Sequence, residues 1–456
     1  MTNNFSQTVF LINGIDRRVV ASFDQERASS DGGGILLLKA DERLGLSAAL
    51  AASLRDRRQA SKIEHSVEEL VRQRIYGIGL GYADANDAAR LGADPIHQLM
   101  VKGELGDGAT LASQPSLSRL ENSVSRNDVG RMSRTLLRLV LKRHRKRLKG
   151  KVQRVIIDLD GTDDPTHGNQ QLSFFNGYYD EHCYLPYVAT VQFNKEREQY
   201  VVGGLLRPGN ASASEGAVGV LSRIVEGCRK NFPRAKICIR LDAGFGNPEV
   251  LEYLDDGQLL YVVGFAGNSV LASESAALRK QAKRLSRQSE ETVKLYGETV
   301  YEAKTWDDER RVIFKAEALF NSKDDIRENP RYVVTNLKQS PQWVYEFYTR
   351  RGDMENRLKE LHHGLELDRT SCHRFIANQF RVLLTIAAYV VFQEIQLCAK
   401  GTDCEGAQVG TLRERLFKLG AWVEQSVRRI VLHLPKCHVW MSTWRRIALA
   451  LGTSAG

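Results

Sequence analysis

At 456 residues and 42% hydrophobic, the chain can bury more than one core, and about 100–200 residues per domain suggests two to four of them. Lys and Arg outnumber Asp and Glu 65 to 55, an excess that favours polyanionic partners, nucleic acid first. The opening MTNNFSQTVFLING has no basic segment followed by an apolar one, and seven cysteines without a C-x-x-C pair argue against a disulfide framework or a zinc site, so a cytoplasmic protein with reduced thiols is expected.

Residues 1 to about 30 are polar and unpatterned, and SSDGGG at 29–34 reads as a loop. From Leu46 to about Ile75 apolar residues recur at helical spacing among charged ones, which predicts helices with solvated faces. In LASQPSLSRLEN, Ser116 is the expected N-cap of a helix carrying Arg119. That helix leads to KRHRKRLKGK at 142–151, with seven Lys or Arg in ten positions. A run of this kind is as readily the solvated end of a helix as a nucleic-acid contact. Its place directly before an acidic cluster tilts Lys142, Arg143, Arg145, Lys146 and Arg147 toward phosphate contacts.

From 152 the pattern changes to strands: VQRVIIDLD (152–160), YLPYVATVQF (184–193) and YVVGGLLRP (200–208), joined by short connections that imply antiparallel neighbours. A helical stretch at about 214–230, the strand KICIRLD (236–242), a helix capped by Asn247 with Pro248 in its first turn, and the strand LLYVVGF (259–265) follow. This order is that of a ribonuclease-H-like α/β domain, with the first and fourth strands as central neighbours. Residues 266–340 interrupt it and predict an inserted, largely β subdomain; a helix starting near Tyr345 then resumes the core. The run VLLTIAAYVVF (382–392) is shorter than the about 18 residues of a spanning helix and reads as a buried core helix. The last segment, 411–450, has eight Lys or Arg against two acids.

The stretch VIIDLDGTDDPTHG places four aspartates within seven residues where a strand ends, and like charges there require a cation. Metal-assisted phosphodiester chemistry gathers carboxylates from distant parts of a chain to hold two divalent ions. Asp160 closes the first strand and Asp242 the fourth. A third acid is expected from the helix in YTRRGDMENRLKELHHGL, where Tyr348, Arg351, Glu355 and His362 are spaced by three, four and seven residues on one face, shared by Lys359.

These residues carry a resemblance. DLDGTDDPTHG, FFNGYYDEHCYLPYV, RLDAGFGNPEVLEYL and YTRRGDMENRLKELHHGLELDRTSCHRFIANQFR resemble the DDE transposases of bacterial insertion sequences, in the branch whose first acid lies in an Asp-Gly-Thr-Asp-Asp-Pro-Thr-His-Gly stretch, within the group sharing a tyrosine–arginine–glutamate–lysine signature. The likeness extends over most of the chain. It implies Asp160, Asp242 and Glu355 as catalytic, metal-binding residues that take Mg2+, with Mn2+ as a substitute. Tyr348 and Arg351 fall on the signature's tyrosine and arginine, while His362 stands where the signature has lysine, leaving His362 or Lys359 for the phosphate contact. The implied substrates are double-stranded DNA, both terminal inverted repeats and target, bound by a homodimer near the nucleoid. The implied layout is a mainly helical DNA-binding region (1–150), a ribonuclease-H-like core in two parts (151–265 and 341–400), a β-rich insertion (266–340) and a helical basic C-terminal region (401–456).

Several neighbours have a plainer reading. Asp158 is expected to be buried and hydrogen-bonded, Asp163 and Asp164 to shape the turn into Pro165, His167 to give hydrogen-bonding support, and Trp306 to pack on a small β core. Arg310, Arg311, Arg428, Arg429, Arg445 and Arg446 could each be solvated, yet as a set would supply phosphate contacts. Two rivals remain: a metal-dependent nuclease of the same fold that cuts without joining, and a non-catalytic DNA-binding derivative.

Overall fold

The apolar, β-branched run before Asp160 forms strand β1 (Arg154–Gly161), buried over nearly its whole length, at the centre of a mixed sheet. A computed structural model describes residues 7–322 and 325–454. Residues 1–6 of the opening polar stretch, 323–324 of the 266–340 segment, and 455–456 of the basic C-terminal region lie outside the described residues.

Antiparallel strands β2 (Tyr187–Phe193) and β3 (Tyr200–Leu205) flank β1 on one side. On the other, β4 (Lys236–Leu241) runs parallel to β1, with Ile237 opposite Val155 and Arg240 opposite Asp158, and β5 (Leu260–Phe265) runs parallel to β4. The first and fourth strands are thus neighbours, as expected.

The sheet does not stop there. β6 (Val293–Tyr301), β7 (Arg310–Phe320) and β8 (Arg331–Thr335) continue it in the order β6-β7-β8-β5-β4-β1-β2-β3. The 266–340 segment therefore adds strands to the central sheet, and it opens with two helices, Ser269–Glu274 and Ala276–Ser289, that a largely β reading did not foresee. The charged run there is a solvated helix face, whose polar residues hid its period.

Four helices bear on the site. α1 (Arg126–Arg147) starts at a capping box in which Ser125 and Asp128 satisfy each other's backbone amides. α2 (Pro341–Thr349) begins four residues before Tyr345, because the Ser340 hydroxyl caps Trp343 N and Pro341 occupies the first turn. It covers one sheet face, where Val344, Tyr345 and Phe347 pack on Ile156, Cys238, Val262, Ile313 and Val333. α3 (Asp353–Lys359) follows a 3-10 turn at Arg350–Gly352 and gives way to a π turn at Glu360–Gly364, so the expected single helix is broken twice. α4 (Phe375–Cys398) is long and apolar enough to cross a membrane by length and composition, yet 89% of its apolar window is buried in protein, as the core-helix reading expects. It packs on β3, on α1 and on the helices Ile35–Leu44 and Val67–Leu80.

Three local expectations are corrected. The Arg119 helix spans Gln114–Ser123 with Ser113 at its N-cap and Pro115 in its first turn; Ser116 lies inside it and accepts a hydrogen bond from Arg119 at 3.0 Å. The start of the chain is patterned after all: Thr8–Phe10 pairs with Val19–Ala21, and Ala28–Ser29 joins Ala421–Gln425. The C-terminal region is part strand, since Ala421–Gln425 also pairs with Ile430–His433 before the helix Met441–Ala450.

Candidate active site

Asp160 and Asp242 each lie two residues beyond the paired Asp158 and Arg240, at the same end of adjacent parallel strands. Period-two alternation puts Asp158 and Asp160 on the α2 side of the sheet with Ile156. Asp242 turns the chain: its Oδ1 accepts from Gly244 N at 2.8 Å, holding a 3-10 turn over Ala243–Phe245. Asp160 is buried, and burial raises its carboxyl to about 6, opposed by the Arg351 guanidinium and reinforced by the Asp242 charge. Arg351, from the turn after α2, donates Nη1 to Asp160 Oδ2 at 2.8 Å. Burial acts to lower its pKa, but Asp160 and Asp242 together raise it.

Tyr348 joins this group. Burial raises its hydroxyl pKa and Arg351 opposes the rise. A Cβ on Gly264 of β5 would come within 2.6 Å of both Tyr348 Oη and Ala243 N, so only glycine lets the tyrosine enter beside the Asp242 turn.

The remaining members of the expected helical face divide. His362 approaches the first-acid strand, its Nε2 lying 3.1 Å from Thr162 Oγ1, while its Nδ1 is 3.8 Å from Asp368. Glu355 and Lys359 are exposed on α3, and no hydrogen bond or ion pair joins either to Asp160 or Asp242 among the described residues. The 3-10 turn before α3 and the π turn after it alter the phase of the chain, so the spacing of three, four and seven residues no longer keeps one face. Among the described residues no group of three His, Cys, Asp or Glu stands ready to hold a metal ion.

The other acids have protein partners. Asp158, fully buried, takes a two-pronged contact from Arg240, with Nε to Oδ1 and Nη2 to Oδ2 both at 2.8 Å, and a third hydrogen bond from Gln199 at 2.9 Å. Asp164 is buried and held by the Thr370 hydroxyl, 2.9 Å from each oxygen; burial raises its carboxyl to about 8. His167 is exposed. Trp306 is buried against Phe265 and Tyr301.

The basic segments are corrected in part. Arg143 grips Glu394 of α4 with two hydrogen bonds at 2.8 Å, and Arg147 grips Glu196 at 2.8 and 2.7 Å, so both are structural pairs. Lys142, Arg145 and Lys146 are exposed, as is Lys149. Arg310 pairs with Asp255 and Arg311 with Glu298, which removes both from a free phosphate-binding set. Arg119 is exposed beside Arg55, Arg57 and Arg58 around an open cavity, and Arg428, Arg429, Arg445 and Arg446 are exposed.

Sequence reasoning missed Gly264, Thr370 and Arg207. Arg207 is buried, donates to the Leu185 and Ser212 carbonyls, stacks 3.6 Å over the Tyr187 ring and lies beside Gly161. Nothing in LLRPG distinguishes it from a solvated strand-end arginine.

Chemically, Asp160 and Asp242 offer hard oxygen donors, which suit a hard divalent cation, and the raised carboxyl with a guanidinium drawn to it marks a place that favours positive charge. No curated protein matches the chain. A family model described as "Transposase DDE domain group 1" matches residues 13–454, nearly the whole length. The chain belongs to this family of DDE transposases.

Proposed function

We propose that this protein is the transposase of an insertion sequence: it binds the element's terminal inverted repeats, cuts the DNA at the ends and joins the freed 3′-hydroxyls to target DNA. Enzymes of the family are metal-dependent and act on DNA. The observation that carries the finer reading is the placement of Asp160 and Asp242 at the same end of neighbouring parallel strands, with Arg351 across Asp160. The strand order β3-β2-β1-β4-β5 supports a ribonuclease-H-like core.

Asp160 and Asp242 would hold Mg2+, with Mn2+ as a substitute, and Glu355 would complete the set when α3 shifts on DNA. The bound ions would activate the attacking hydroxyl and neutralise the leaving oxygen. Arg351, released from Asp160, would turn to a phosphate oxygen, for which its planar fork is suited. Tyr348 in its Gly264 slot would position the same phosphate, and His362, aimed at Thr162 in place of the signature's lysine, would contact the backbone beside it, with Lys359 behind. Lys142, Arg145, Lys146 and Arg119 would supply outer phosphate contacts. A homodimer pairing two ends is the expected assembly.

The inverted repeats would be read from the DNA flanking the gene and offered as labelled duplexes with Mg2+. Cleavage and joined product are expected from the unaltered protein, and DNA binding without either from Asp160→Asn, Asp242→Asn and Glu355→Gln. Cleavage without joining would instead make the protein a nuclease. Retained cleavage by Glu355→Gln would remove that residue from the site.

A further inference from the structure

The chain leaves one apolar element bare. Thr8–Phe10 and Val19–Ala21 form a two-stranded hairpin, and both strands are exposed throughout. Its root is fixed, since Ala28–Ser29 pairs with Ala421–Gln425 and Val423 N donates to Arg27 O at 2.8 Å. Directly opposite residues of an antiparallel pair share a face. Val9 lies opposite Val20 on one face and Phe10 opposite Val19 on the other, so the hairpin presents apolar side chains on both. A hairpin resting on its own protein would turn a polar face to water.

The loop between the strands adds Leu11 at 84% exposure, and Phe23 beyond them stands at 90%. Between positions 9 and 23, eight large apolar side chains are at least 40% exposed. A lone two-stranded hairpin is marginal in water at best, so this one needs cover from outside. Covering a side chain of this class removes about 60–120 Å2 of apolar surface. Eight of them supply several hundred Å2 per copy, near the apolar share of the ~800 Å2 that each partner gives to a stable interface.

The charges point to what covers it. The loop carries Asp16 directly before Arg17 and Arg18, and no ion pair joins these three to any group among the described residues. A patch that meets its own copy about a two-fold axis must complement itself. An acid beside two bases does so, because the two-fold turn sets one copy's acid against the other's bases.

Resting on the homodimer of the transposase reading, we infer that the 8–21 hairpin is the contact through which two copies of this chain associate, hairpin against hairpin, with Leu11 and Val20 covered and Asp16 facing the partner subunit's Arg17 and Arg18. The apolar faces are bare without DNA, so the pair forms in its absence.

The test is the mass of the full chain in solution without DNA, by light scattering over a dilution series. A dimer is expected. Leu11→Asp and Val20→Asp should each raise its dissociation constant at least tenfold. Asp16→Arg should weaken the dimer, and Asp16→Arg combined with Arg17→Asp and Arg18→Asp should restore it, a rescue that damage to the fold would not give. A monomeric unaltered protein, a dimer indifferent to Leu11→Asp, or failure of the charge-reversed variant to recover would overturn the proposal. Because the mass is read without DNA, a monomer removes the interface alone, while cleavage and joining of labelled repeats remain the separate test of the transposase reading.

Discussion

The Asp158–Arg240 pair lies in the middle of the sheet with both side chains almost fully buried, one residue from each of the two central parallel strands. Replacing Asp158 with Ala leaves the Arg240 guanidinium facing the vacated space, with Phe347 O and Gln192 as its remaining acceptors. Breaking a buried pair from one side typically costs ~3–5 kcal/mol, because the partner's charge stays uncompensated in a medium that cannot solvate it. Gln199 also loses its acceptor, which adds to the penalty. Against a total stability of about 5–15 kcal/mol, the loss is large enough to read directly by urea unfolding. Asp158→Ala should shift the urea midpoint strongly downward with little change in slope, and Asp158→Leu combined with Arg240→Met should recover most of the stability. A variant that unfolds like the original protein but no longer cleaves DNA would refute the reasoning and move Asp158 into the metal site.

Three further outcomes are expected. Asp160 titrates at about 6, above the ordinary 3.8, so at limiting Mg2+ the apparent metal affinity should fall about tenfold per unit as pH drops below 6; a flat profile from pH 5 to 7 would contradict this. Asp164 titrates at about 8, so between about pH 4 and 8 the unfolded chain releases this proton while the folded one keeps it, and stability declines as pH rises. Asp164→Asn should flatten that decline in thermal melts at pH 5 and 8. Changing Lys142, Arg145, Lys146 and Lys149 to Gln should reduce the salt slope of DNA binding by roughly 0.9 per lost phosphate contact without altering the melting temperature, whereas Arg143→Ala or Arg147→Ala should lower the melting temperature by breaking the Glu394 and Glu196 pairs.

Local rules made part of this legible. Alternation along RVIIDLDG fixed the face on which Asp158 and Asp160 lie, and the Asn247-Pro248 pair marks a helix start through a cap that needs no tertiary contact, whereas the equivalent Ser340-Pro341 signal is passed over by a reading that starts the helix near Tyr345. What stayed hidden depends on residues far apart in the chain. Arg143 and Lys142 look alike in a basic run, and only a Glu394 placed 251 residues away separates a structural arginine from a free lysine. The broken helix after Tyr348 kept an unbroken period in sequence, since 3-10 and π turns leave no mark in residue type. Burial of Asp164 beneath Thr370 likewise has no counterpart in a turn rich in aspartate.

The placement of α4 bears on how the chain is made. Its apolar surface completes the packing of helices whose residues leave the ribosome long before it does, for 227 positions separate the last residue of α1 from Phe375. At about 5–20 residues per second those helices wait on the order of ten seconds or more with their inner faces uncovered. A nascent chain in that state is a client for a holdase, and a fragment ending before Phe375 is expected to precipitate. Any attempt to map DNA contacts with a shortened N-terminal piece would have to supply that missing helix.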